Sequence, residues 1–284
     1  MTIVDQQVRD AEQAADRAAE DAGVTVRLLD SVADFTAVVE LFRGIWATGS
    51  ERVPVNVEVL RALSKAGSYV AGAYDGDDLV GACFGFFAAP ERRALHSHIA
   101  GVSERMRGRS VGFALKVHQR AWALDHDLDE ISWTFDPLIS RNAYFNLVKL
   151  AATPTSYHRN FYGQMQDALN GGDDTDRMLV TWFVRDPRVE AACAGRPIVP
   201  DLPPSETLLA NGEGEIPLYG DPAGPFVRVS LPRDIERIRI DDPARATRWR
   251  HALRDTLGDL LDGGARVLAF DRTGTYTIDR GEQS

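Results

Sequence analysis

Gly101-Val102-Ser103-Glu104-Arg105-Met106-Arg107-Gly108-Arg109-Ser110-Val111-Gly112-Phe113-Ala114-Leu115-Lys116 is the stretch on which the fold of this chain turns. It begins as the end of an apolar strand and passes through a basic turn with two glycines. It then enters a helix whose apolar positions continue through Val117, Ala121 and Leu124. A strand, a Gly/Arg turn and a helix start make an anion cradle, because the first helical amides lack intrahelical acceptors and the helix dipole adds partial positive charge there. The plain alternative is that Arg105, Arg107 and Arg109 form a solvated charged turn.

Upstream, residues 1–22 are rich in Ala, Asp, Glu and Gln and offer few large apolar groups. They are expected to fray or dock weakly, as a flexible or helical segment. A strand is predicted from Val24, then a helix capped by Ser31 with Asp34 at its third position and Phe35, Val38, Val39, Phe42 and Trp46 on one face. Thr48-Gly49-Ser50 breaks that helix, and Pro54-Val55-Asn56 starts a second. A strand from Ser68, a turn at Asp75-Gly76-Asp77-Asp78 and the apolar run from Leu79 to Phe87 read as a hairpin, and 94–102 as the next strand.

Downstream, Ile131-Ser132-Trp133-Thr134-Phe135 reads as a strand ended by Asp136-Pro137. A helix over 142–150 would place Asn142 and Asn146 one turn apart on one face. Strands follow near 155–158 and 178–184, separated by a loop with Tyr162 and Asn170-Gly171-Gly172-Asp173-Asp174. The Pro, Gly, Ala and Glu content of 187–216 reads as a linker. Residues 217–284 read as a small α+β extension: a strand at 226–231, a helix at 243–261 and a hairpin at 265–278. The domain scheme is therefore 1–22, 23–186, 187–216 and 217–284.

The chain has 284 residues and a formal charge of -10, enough length for a sizeable core and too acidic for a general nucleic-acid coat. Its two cysteines, Cys83 and Cys193, have no metal-ligand spacing, so no metal is expected and both read as reduced thiols. No apolar run is long enough to span a bilayer and no signal sequence opens the chain, so no membrane association and a cytoplasmic location are expected. The dinucleotide glycine spacing, a P-loop lysine, a Gly-x-Ser-x-Gly elbow and a zinc histidine pair are all missing.

With Val102, Arg107, Ser110 and Gly112 in the spacing V/I-x-x-x-x-Q/R-x-x-G-x-G/A, the chain resembles the GNAT N-acetyltransferase superfamily over roughly 24–184. It is similar to members that carry a C-terminal extension. The resemblance implies an α/β (α+β) fold with a central mixed, mostly antiparallel sheet, splayed strands and flanking helices. It also implies acetyl-CoA or another acyl-CoA as cosubstrate. By position, the amides of Arg107, Gly108, Arg109, Ser110, Val111 and Gly112 would bind the pyrophosphate. Val102 would pair with the pantetheine, and Asn142 and Asn146 would lie by the cofactor. Two positions depart from the pattern: Ser110 replaces a glycine, tolerable if its backbone is helical, and Leu147 stands where a general-acid tyrosine is common.

Acyl transfer from a thioester to an amine needs a deprotonated amine, a polarised carbonyl and a stabilised leaving thiolate. His96 and His98, two apart on one strand, share a face with Val102 if alternation is regular, and an imidazole titrating near neutral pH suits a general base. A pair of merely hydrogen-bonded strand histidines is the bland reading. Asp136 could relay a proton or orient substrate, or simply cap the strand end. Tyr162 and Tyr157 are the candidate acids, and Trp133, Phe135 and Tyr157 the candidate acceptor-pocket lining; each is equally readable as core. These residues lead to N-acylation of a small-molecule amine in a ternary complex. The alternatives are a non-catalytic acyl-CoA or carrier-protein binding module, or transfer from a pantetheinyl carrier protein. The extension could build a homodimer.

Overall fold

The computed structural model describes residues 3–46, 54–163 and 173–281. The Thr48-Gly49-Ser50 break and Asn170-Gly171-Gly172 lie outside the described residues. In chain order the elements begin with α1 (Ile3–Ala22), β1 (Thr25–Leu28), α2 (Val32–Trp46), α3 (Val57–Lys65), β2 (Val70–Asp75), β3 (Asp78–Phe87), β4 (Ala94–Val102), α4 (Val111–Asp125) and β5 (Glu130–Phe135). They continue with α5 (Ser140–Ala143), β6 (Thr153–His158), β7 (Arg177–Phe183), α6 (Pro187–Cys193), β8 (Glu206–Asn211), β9 (Pro217–Tyr219) and β10 (Phe226–Ser230). The last are α7 (Ile235–Asp241), α8 (Pro243–Leu253), α9 (Asp259–Asp262), β11 (Arg266–Phe270) and β12 (Thr275–Asp279).

One sheet has seven strands in the order β1-β2-β3-β4-β5-β7-β6, parallel at β4/β5 and antiparallel at β1/β2, β2/β3, β3/β4 and β6/β7. A second has the order β11-β12-β10-β8-β9, parallel only at β8/β10 among its registered pairs. Contacts divide the chain into two compact units, Met1–Trp133 with Trp182–Arg196 and Thr134–Thr181 with Pro197–Ser284.

In the first unit the capping signal at Ser31 forms as read. Ser31 Oγ accepts from the Asp34 amide at 3.0 Å, and the Asp34 carboxylate accepts from Ser31 Oγ at 2.7 Å. The α2 face with Phe35, Val38, Val39 and Phe42 is buried with Leu60, Val70, Ala82 and Phe84. Asn56 caps α3, accepting from the Val59 amide at 2.9 Å.

Residues 1–22 differ from expectation. α1 docks along α4 through a stripe of Ala11, Ala14, Ala15, Ala18 and Ala22, all buried. Alanine at helical spacing lets two backbones approach closely with little side-chain entropy to lose, so the missing large residues do not prevent docking. Covered by α1 as well as by strands, α4 is buried nearly all round, Lys116, Gln119 and Arg120 included.

The expected linker at 187–216 contains α6 and β8. Asp186 caps α6, accepting from the Arg188 amide at 2.8 Å, with Pro187 in the first turn. β8 enters its sheet parallel to β10, a pairing that local sequence does not announce. β9 and α7 were likewise unforeseen, whereas β10, α8 and the β11/β12 hairpin lie where the sequence placed them.

Candidate active site

The opening stretch folds as strand, turn and helix. After Val102 a single 3-10 turn, Glu104–Met106, leads to Gly108 at φ +81° and Ser110 at φ +62°. Both residues are left-handed, and space is open where a Gly108 Cβ would lie. Ser110 therefore does not have the helical dihedrals that would make it an easy glycine substitute. It sits in the left-handed well itself, which costs a non-glycine residue on the order of 1–2 kcal/mol.

That geometry turns the amides outward. The amides of Arg107, Arg109, Phe113 and Ala114 are bonded to backbone oxygens. Those of Gly108, Ser110, Val111 and Gly112 donate to no acceptor among the described residues. Four such amides, two ahead of a 15-residue helix and two in its first turn, fit an anion, and a CoA pyrophosphate is one of the right charge. The arginines contribute unequally. Arg105 turns away to Asp75 and Asp78, Arg109 lies against Met106 Sδ at 3.6 Å, and exposed Arg107 makes a 3.4 Å contact with Glu104.

β4 pairs with β3 as far as Val102, whereas its parallel pairing with β5 covers only Ala94/Glu130, Leu95/Ile131 and His96/Ser132. From Ser97 and Trp133 onward the two strands part. This fork is the splayed pair of strands that the resemblance implied.

A β-bulge decides the faces of β4. Phe84 pairs with Ile99 but Gly85 with Ser97, so His98 is an extra residue and strict alternation fails. His96 and His98 consequently lie with Phe84 and Phe86, ring centroids 5.2 to 5.9 Å apart, whereas Ser97 and Val102 face α4. The expected shared face of the histidines with Val102 is corrected by that one inserted residue. Both imidazoles are lowered. Burial, His98 and Lys116 bring His96 down to about 4, and burial lowers His98. His96 Nδ1 lies 3.4 Å from Ser132 Oγ.

On the α4 face, Lys116 is only 4% exposed. Its Nζ donates to Ser97 Oγ at 2.8 Å and Gln119 Oε1 at 3.1 Å, and lies 3.7 Å from the centroid of the Trp133 ring. Gln119 Nε2 donates to Cys83 Sγ at 3.5 Å, and Cys83 Sγ lies 3.7 Å from Ser97 Oγ. Burial lowers the lysine to about 8 and raises the Cys83 thiol. The sequence reading passed over Lys116. Its signal was a lone cation between Leu115 and Val117 in an apolar helix.

Of the remaining candidates, Trp133 belongs to this network through its ring contact with Lys116. Trp133 and Phe135 are buried, so they are core side chains and not an open pocket floor. In the second unit Asp136 is buried, and its carboxylate accepts from Arg250 Nη1 and Nη2 at 2.9 Å each, Arg239 Nη2 at 2.6 Å and the Leu138 amide at 3.0 Å. Although burial opposes ionisation, these cations hold the carboxyl well below the usual range. With both oxygens engaged it is an architectural anion, not a proton relay. Tyr157 is buried and donates to Asp176 Oδ2 at 2.7 Å, which removes it as pocket lining or acid.

Tyr162 is exposed, with its hydroxyl 3.2 Å from Thr134 Oγ1. Asn142 and Asn146 do not share a helical face. α5 passes into a π-helical segment, Tyr144–Lys149, whose wider turn buries Asn146 with Ala143 and Leu150 and leaves Asn142 half-exposed. Among the described residues no three His, Cys, Asp or Glu side chains gather as a metal site, and no helix is long and apolar enough to cross a membrane.

Three solved structures illustrate what the chain is similar to. An acetyltransferase of the GNAT family from Streptococcus pneumoniae has 10% identity, covers 56% of this chain and 99% of its own, and gives a TM-score of 0.47. The protein yncA from Salmonella typhimurium, solved with its cofactor acetyl-CoA, has 16% identity, coverage of 57% and 95%, and a TM-score of 0.48. A ribosomal-protein-S5-alanine acetyltransferase from Vibrio fischeri has 14% identity, coverage of 58% and 94%, and a TM-score of 0.47. No curated protein matches the chain. The model of one family, described as an acetyltransferase (GNAT) domain, matches residues 6–145, the stretch that holds the cradle, the fork and the β4 histidines. Over those residues the chain carries a GNAT acetyltransferase domain.

Proposed function

We propose that this acetyltransferase moves an acetyl group from acetyl-CoA directly to a primary amine of a small molecule in a ternary complex. The observation that carries the reading is the row of four acceptor-free amides, Gly108, Ser110, Val111 and Gly112, at the end of a strand that forks from its parallel neighbour. In this reading those amides hold the pyrophosphate, and the pantetheine arm lies along β4 from Val102 toward Ser97. Acetyl-CoA supplies the activated thioester. His96 accepts the proton of the attacking amine, directly or through water, with His98 beside it. His96 is the neutral base at pH 7 because its imidazole is brought down to about 4.

The mechanism has no acyl-enzyme. Cys83 is buried with its thiol raised, the reverse of an activated nucleophile. The test is CoA release from acetyl-CoA against a panel of small amines and peptide N-termini. Release should depend on the added amine, fall at least about a hundredfold in His96→Ala, and show no His96 limb between pH 6 and 7. Amine-independent release, a Cys83 adduct or an unaffected His96→Ala enzyme would refute the scheme.

A further inference from the structure

Lys116 stands at the vertex of the fork. His96/Ser132 is the last β4/β5 pair, and the next residue on each strand is the one the ammonium touches: Ser97 through its hydroxyl and Trp133 through its ring. Both other polar neighbours are neutral, Gln119 by nature and Cys83 because its thiol is raised. No carboxylate of the described residues pairs with this buried cation. Buried charges are ordinarily paired, because desolvating an ion costs several kcal/mol that neutral hydrogen bonds recover only in part. An anion that balanced this charge would come from outside the described protein groups.

We propose that the Lys116 ammonium is the binding site for the coenzyme A sulfur and holds it as a thiolate. This rests on the reading that the pantetheine arm lies along β4 from the cradle. The five residues from Val102 to Ser97 span about 17 Å at ~3.3 Å per residue, which leads an extended arm from the cradle to the vertex. Two of the three ammonium N–H groups serve Ser97 and Gln119, and the Trp133 ring lies against the ammonium in a cation–π contact that the sulfur would have to share or displace. In the transfer the amine nitrogen bonds to the acyl carbon. The carbon–sulfur bond then breaks with its electron pair going to sulfur, and the amine proton goes to His96 or solvent. Lys116 keeps its proton and pairs with the new anion, so the charge it stabilises exists only after the bond has begun to break.

The titratable group beside Lys116 is Cys83 from β3; His96, on the other face of β4, feels the lysine charge without facing it, and Ser97, Gln119 and Trp133 complete the surroundings. With His96 at about 4 and the thiol raised, the sulfur and Lys116 itself are the groups that change charge between pH 6 and 9. The full chain is titrated calorimetrically with CoA and with desulfo-CoA from pH 6 to 9. The expected result is about tenfold tighter binding of CoA near pH 8, the effect of one charge-assisted contact, falling toward parity at pH 6. In Lys116→Met the preference should vanish at every pH while desulfo-CoA affinity stays the same. If desulfo-CoA binds and wild-type protein shows no pH-dependent preference for CoA, the thiolate site is overturned and the acyl-CoA reading stands. If neither ligand binds, both are overturned. The wild-type series decides the matter even if the variant fails to fold.

Discussion

Two groups of buried charge use the same physics to opposite ends. In the second unit Asp136 and Asp173 share Arg239 and Arg250, all at most 6% exposed in their side chains, so two anions face two cations. Nearby, Arg254 bridges Asp174 and Asp176, and Tyr157 donates to Asp176. In the first unit Lys116 is as deeply buried, with hydroxyl, amide and ring neighbours but no anion among the described residues. A balanced network is complete without a ligand and reads as architecture, whereas an unbalanced one carries a standing electrostatic cost. That contrast makes Asp136 architectural and is why Lys116 carries the proposed thiolate site.

Breaking the balanced side should have the largest effect. Asp136→Asn leaves two buried guanidinium groups facing one carboxylate, and is expected to cost about 3–5 kcal/mol of stability, read from urea unfolding. A loss below 1 kcal/mol would mean that solvent already screens the cluster.

Lys116→Met should act in the opposite direction. A lysine lowered from 10.5 to about 8 binds fewer protons folded than unfolded between those values, so the wild-type protein gains stability as pH rises through that window. Below it the penalty is fully present, about 3 kcal/mol from the shift. The variant should be more stable at pH 7 and lose that slope in unfolding runs at pH 7, 8, 9 and 10. A destabilised variant with the slope intact would show that the ammonium is not the source.

Ser110→Gly tests the cradle at its one strained residue. Relief of the left-handed serine should offset the greater backbone freedom of glycine and raise stability by about 1 kcal/mol at most. CoA affinity should stay unchanged, since the amide is retained; a large affinity loss would assign the hydroxyl a role in binding.

The smallest effect concerns His96. Its imidazole is lowered from 6.5 to about 4, so the unfolded chain binds more protons between those values and stability declines as pH falls through them. His96→Gln should flatten part of that acid slope in thermal melts. An identical slope would place the shift elsewhere, with His98 the next group to examine.

Much of the fold was legible because local rules and tertiary needs agree. The capping pair Ser31/Asp34, the apolar face of α2, the hairpin turn at 75–78 and the strand at 94–102 each depend on residues close in sequence. Segments that failed depend on partners far away. α1 becomes a docked helix because α4 offers a surface for an alanine stripe, and β8 becomes a strand because β10 pairs with it. At the site, the turn and its free amides were readable from Gly108 and the helix that follows. The faces of β4 were not, because one bulge at His98 reverses the alternation that sequence reasoning assumes.

By itself the sequence determined the order of strand, turn and helix and the turn whose amides find no acceptor among the described residues, since these follow from short-range sterics and helix-end geometry. Tertiary structure alone decided which side chains meet the site. It put Ser110 in a left-handed well, turned the histidines away from Val102 and surrounded Asp136 with arginines from residues 239 and 250. It also placed Lys116 at the fork with no counter-charge among the described residues. The physical reason is that the energy of a buried charge depends on neighbours brought in from distant positions, which no local pattern records.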